Sequence, residues 1–162
     1  MQKINCKPIN NTYKVKNSMK KYLILTLFLF SCERPEFLFT DGKGAKFADY
    51  EDQIIFLNIW ADWCPPCIIE FPYFNEINEE PNVTVIGFHF DQFDTLPNEE
   101  VNRLMNKFNV DFKNLSTDPR NLWSLDLPDS VPTTYIIKNG EILDAITYPL
   151  TPEKLRELVT TN

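Results

Sequence analysis

Apolar and polar positions alternate between two periods along the chain, and the switches mark its elements. Residues 37–39 (FLF) and 45–47 (AKF), either side of Asp41-Gly42, predict a small hairpin. Residues 53–60 (QIIFLNIW) are almost continuously apolar, as a central strand buried on both faces requires. A helical stretch follows the cysteine segment and reaches towards Asn78, with a kink expected at Pro72. Residues 82–90 (NVTVIGFHF) read as a second buried strand. Val101, Leu104, Met105 and Phe108 recur at helical intervals within 99–108. Further on, 133–138 (TTYIIK) and 142–147 read as strands joined by an Asn139-Gly140 turn. Thr151 as N-cap and Pro152 at the first helical position open a final helix.

The order is therefore hairpin, strand, helix, strand, helix, hairpin, helix. At 162 residues and 43% apolar content, the chain is long enough for one domain with a substantial core. It contains no internal repeat and no low-complexity tract.

Charge divides the chain unevenly. The net charge is -7, yet every acidic residue lies at or after Glu33, while six of the 16 basic residues precede Cys32. From Cys32 onward the balance is about -13, which argues against nucleic acid or an anionic membrane surface as partner.

The basic Met19-Lys20-Lys21 and the apolar YLILTLFLF that follows form an address rather than a span, being far shorter than the roughly 20 residues a spanning helix needs. Leu29-Phe30-Ser31-Cys32 resembles a bacterial lipoprotein signal, which implies cleavage before Cys32 and lipid on that cysteine. Residues 1–31 are then an N-terminal extension and signal segment, in which 1–18 are a cytoplasmic extension or precede Met19 as the natural start; 32–36 are a tether and 37–162 the domain. The alternative is an uncleaved hydrophobic anchor with Cys32 an ordinary thiol. Either arrangement puts the domain outside the cytoplasmic membrane, where disulfides persist.

The densest chemistry is WADWCPPCIIEFP, residues 60–72. A Cys-X-X-Cys at the mouth of a helix puts the first sulfur beside unpaired N–H groups and the positive end of the dipole, which favour thiolate. Cys64 is then the nucleophile and Cys67, one turn in, the resolving thiol. Other readings exist. Zinc requires a second ligand pair, and His89 is the sole histidine. Copper delivery would use Cys64, Cys67 and His89. An inert disulfide closing so small a loop confers little stabilisation. A non-catalytic binding module would use the surface without the sulfur chemistry.

WADWCPPC, Pro72 five residues after Cys67, and VPTTY at 131–135 followed by NGEI together resemble the thioredoxin-fold TlpA/ResA-like thiol-disulfide oxidoreductases over roughly residues 37–158. The resemblance implies an α/β thioredoxin fold, a central mixed sheet flanked by helices with an N-terminal hairpin extension, and no cofactor or metal. It also implies that Pro132 is cis beside the disulfide, with the Val131 backbone pairing with an extended client segment.

Thioredoxins carry a buried aspartate where this chain has Asn58, which cannot exchange a proton. Glu70 matches the acid of the pattern CxxCxxEFP and is the candidate proton handler for Cys67. Trp63 and Pro65 belong to the client-facing lip, Trp60 to the core, and Asp62 to a rim where its charge opposes thiolate formation. Residues 88–94 are a loop that shapes the client surface. The implied role is a reductant of protein disulfides, for example those of apocytochrome c, re-reduced by a membrane electron-transfer protein.

Overall fold

The computed structural model describes residues 34–90, 96–126 and 128–162. The signal segment, Cys32 and most of the 88–94 loop lie outside these residues. Among the described residues no helix is long and apolar enough to cross a membrane.

A five-stranded mixed sheet forms the centre, built from β3 (Ile54–Trp60), β4 (Val83–His89), β5 (Lys113–Asn114), β6 (Thr133–Lys138) and β7 (Glu141–Ile146), in the order β5-β4-β3-β6-β7. β3 pairs parallel to β4 and antiparallel to β6, and all seven of its residues are buried. That central position explains why residues 53–60 show no polar alternation. Its side chains still alternate between two cores. Ile54, Phe56 and Trp60 pack with Phe71, Phe74 and Ile77 of α1 (Pro65–Ile77), Val101 and Leu104 of α2 (Asn98–Lys107), and Leu155 and Leu158 of α4 (Pro152–Thr161). Ile55, Leu57 and Ile59 pack on the other side with Phe37, Phe39, Leu115 and Trp123.

The expected elements form with small shifts at their ends. α1 stops at Ile77 with Asn78 as its C-cap and runs helically through Pro72. The hairpin is β1 (Phe37–Leu38) against β2 (Gly44–Ala45), and Phe47–Tyr50 is a 3-10 turn rather than an extension of the strand. Asn139 and Gly140 both take positive φ, 51° and 81°, as a two-residue turn matched to strand twist requires. The Thr151 side chain accepts from the Lys154 N–H, capping α4 as expected. Two elements were not foreseen, β5 and the one-turn α3 (Arg120–Trp123). Each is too short to carry a periodic signal.

Gly87, in the middle of β4, meets a spatial demand. A β-carbon there would fall 2.7 Å from Asn114 Oδ1 and 3.1 Å from Trp60 Nε1, atoms that are themselves hydrogen-bonded at 2.9 Å. Gly87→Ala should therefore cost about 1–3 kcal/mol through overpacking and a strained hydrogen bond. The check is the denaturant midpoint of the oxidised protein; an unchanged midpoint would mean that Asn114 moves aside without cost.

Candidate active site

The end of β3 delivers the redox segment. Ala61 and Cys64 close a turn through a 3.2 Å bond from the Cys64 N–H to the Ala61 carbonyl. Cys64 is then the N-cap of α1, and its Sγ accepts from the Cys67 N–H at 3.2 Å. Prolines occupy the first two helical positions, where no intrahelical donor is lost. Cys64 and Cys67 form a disulfide, with sulfurs 2.02 Å apart and α-carbons 5.4 Å apart. Both residues are buried, but their neighbours are not: Pro65 and Pro66 are exposed, as are Trp63 at 56% and Ile69 at 64%. Exposed apolar side chains therefore flank a mostly covered disulfide along the chain.

β6 supplies the other side. Thr133 stands opposite Ile59, which brings the residues just before it to the same end of the sheet as the redox turn. The Val131–Pro132 bond is cis, as the resemblance implies. Pro132 is buried, and Val131 is half-buried against both cores. The Thr133 hydroxyl donates to the Ser130 carbonyl at 2.9 Å, closing the loop that presents Val131.

Two polar side chains on the elements that carry the disulfide, β3 and α1, are buried. Asn58 is fully buried on β3, facing the α1 side, and its Nδ2 donates to Thr134 Oγ1 at 3.3 Å. Glu70, only 1% exposed, follows Cys67 by three residues, the spacing that makes helical side chains neighbours. Its Oε1 accepts from the Leu150 N–H at 2.5 Å. Asn58 Oδ1 and Glu70 Oε2 have no hydrogen-bond partner among the described residues. Burial pushes the Glu70 carboxyl up from 4.5 to about 7, against the opposing pull of the Leu150 N–H. A carboxyl poised there exchanges a proton near neutral pH.

The sequence missed the partners of these groups. Thr134, the Leu150 N–H and Asn114 each come from a distant segment and carry no local motif. Trp60 is fully buried, as expected, and stacks edge-on to Phe71 as well as donating to Asn114. Asp62 lies at the rim as read, 39% exposed, but it faces His89, whose Nε2 is 3.3 Å from its Oδ1. His89, the third group of the copper reading, meets Asp62 through Nε2. Among the described residues no group of three or more His, Cys, Asp or Glu side chains is arranged to hold a metal ion.

The AhpC/TSA family model matches residues 31–146. Thiol-disulfide oxidoreductase ResA of Geobacillus kaustophilus (strain HTA426) is 31% identical over 127 residues, covering 75% of this chain and 71% of that protein. ResA of Bacillus cereus (strain ATCC 10987) is likewise 31% identical, covering 77% and 73%. Among solved structures, a thiol:disulfide interchange protein of the thioredoxin family from Chlorobium tepidum TLS superposes with a TM-score of 0.63 at 22% identity, covering 80% of this chain and 97% of that one. That likeness establishes the thioredoxin fold. A paired Cys64 and Cys67 on such a fold, with relatives of that activity across three quarters of its length, makes the chain a member of the AhpC/TSA family and a thiol-disulfide oxidoreductase of the ResA type.

Proposed function

We propose that the oxidoreductase works outside the cytoplasmic membrane as a reductant of protein disulfides, held to the membrane by lipid on Cys32. In this reading residues 32–36 are the tether and 37–162 the exchange domain. The observation that carries the chemistry is the Cys64–Cys67 disulfide at the N-terminus of α1, with Trp63 exposed just before it and Glu70 buried three residues after Cys67.

The cycle begins with the dithiol. The Cys64 thiolate, favoured by the helix N-terminus, attacks one sulfur of a client disulfide and expels the other as a thiolate. Cys67 then loses its proton to Glu70 and attacks the Cys64 sulfur, forming the intramolecular disulfide and releasing the client's second thiolate. Two electrons pass to the client. Trp63, Pro65 and the Val131 backbone beside Pro132 hold the client's extended segment during the exchange. A membrane electron-transfer protein with its own dithiol restores Cys64 and Cys67. Apocytochrome c is one client of the kind that the resemblance implies.

The test is a redox titration of the mature protein against glutathione, after its mass has been read. The expected result is a lipid-sized mass addition on Cys32 and a potential of about -200 mV or lower. A potential near about -120 mV, that of a strong oxidant, would sink the reductant role. An unmodified Cys32 would remove the anchor.

A further inference from the structure

Asp62 stands two residues before Cys64, in the turn that delivers the nucleophile. A carboxylate there is a like charge for the Cys64 thiolate, and it opposes ionisation to the degree that it turns towards the sulfur. What restrains it is His89. The two residues approach at 3.3 Å, Nε2 to Oδ1, with the Asp62 side chain 39% exposed and the His89 side chain 3% exposed. With a carboxylate as acceptor, Nε2 is the donor.

His89 is held firmly enough to serve as an anchor. It pairs with Trp60 across the β3–β4 ladder, and the Phe90 N–H continues the pairing to the Trp60 carbonyl at 2.8 Å. Its ring stands edge-on to the Trp60 indole, 4.8 Å between centroids. The indole is fixed in turn by its bond to Asn114. The sequence supplies no substitute: no Lys or Arg occurs between Lys46 and Arg103, so His89 is the sole basic side chain on β3, the redox turn, α1 and β4. Among the described residues, Asp62 is the charged group that meets it; β3 presents Trp60, and Asp91, two residues further on, lies outside them.

We propose that His89 is a positioning residue of the redox pair, which by holding the Asp62 carboxylate back against the sheet sets how readily Cys64 ionises. The proposal rests on the reading of Cys64 as the attacking sulfur. A neutral imidazole does this with a hydrogen bond, and a protonated one adds an opposite charge. Either form fixes the Asp62 carboxylate on the β4 side of the turn.

The experiment is the rate of iodoacetamide alkylation of the reduced protein as a function of pH, with the adduct located by peptide mass. His89→Phe keeps an aromatic ring against Trp60 and deletes the donor; it should raise the Cys64 midpoint by about half a unit. Asp62→Asn should lower the midpoint, and His89→Phe should then add nothing in the Asp62→Asn background, as expected when one residue acts through the other. His89→Gln, which retains a donor, should restore part of the shift. An unchanged midpoint in His89→Phe, or the same shift with and without Asp62, would overturn the proposal. Should His89→Phe fail to fold, His89→Leu takes its place in both backgrounds: an unchanged midpoint, or the same shift with and without Asp62, overturns the proposal. An adduct found first on Cys67 in the unaltered protein would instead overturn the choice of Cys64, visibly and by a different readout.

Discussion

Cys64→Ser should lower the rate of client disulfide reduction by about 10³-fold or more, because no other group replaces the attacking sulfur. Cys67→Ala should behave differently. The attack by Cys64 survives, but the step that releases the client is gone, so the enzyme accumulates as a mixed disulfide whose mass equals protein plus client. Both variants should fold, since the loop closed by the disulfide is too short to carry much stability. Reduction of a model protein disulfide, followed by mass spectrometry under non-reducing conditions, checks the pair of outcomes. Full activity in Cys64→Ser would mean that the protein acts by binding alone, and a failure of Cys67→Ala to trap any client would remove Cys67 from the release step.

The second large effect is expected at Glu70, and it has both a kinetic and a thermodynamic face. The folded carboxyl titrates near 7 and the unfolded one near 4.5, because burial disfavours the charge. Below pH 4.5 both states are protonated and Glu70 contributes no penalty. Between 4.5 and about 7 the unfolded chain has lost a proton that the folded chain retains, so stability falls as pH rises. Above about 7 the loss is complete, at about 3 kcal/mol. Glu70→Gln should flatten this part of the stability profile, measured by denaturant unfolding of the oxidised protein at several pH values. An amide also cannot accept the Cys67 proton, so release of client from the mixed disulfide should slow by about 10²-fold near neutral pH. A wild-type profile that is already flat would show that Glu70 ionises normally in the fold. An unchanged release rate would leave it a structural acid.

Much of this site is legible in the sequence because its parts are local. Cys64, Cys67 and Glu70 fall within seven residues on one helix, where spacing alone determines that the acid shares a face with the second sulfur. Pro132 is distant, yet it sits in a motif that the resemblance identifies. The buried environment of Glu70 is another matter. That burial depends on the Leu150 N–H, eighty residues away, and on a sheet whose strand order the sequence does not spell out. The Asp62–His89 contact is hidden for the same reason: the sequence places His89 in a strand and offers it as a copper ligand, and register with Trp60 is what carries it to the redox turn. For the fold, long apolar strands such as β3 and the strongly signalled Asn139-Gly140 turn were readable. β5 and α3 were not, because tertiary pairing rather than local preference creates them.

The N-terminal hairpin has a consequence at the margin of the sheet. Its strand end bridges Phe39 to Leu115, the Thr40 N–H donates to the Asn114 carbonyl, and the Ser116 N–H donates back to the Leu38 carbonyl. These contacts occupy the backbone groups that the two-residue β5 would otherwise present as a template for another chain. At the opposite margin β7 carries Glu141 and Asp144, charges that discourage stacking of one sheet edge on the next. A second chain is thereby met by an occupied strand at one margin of the sheet and a charged one at the other.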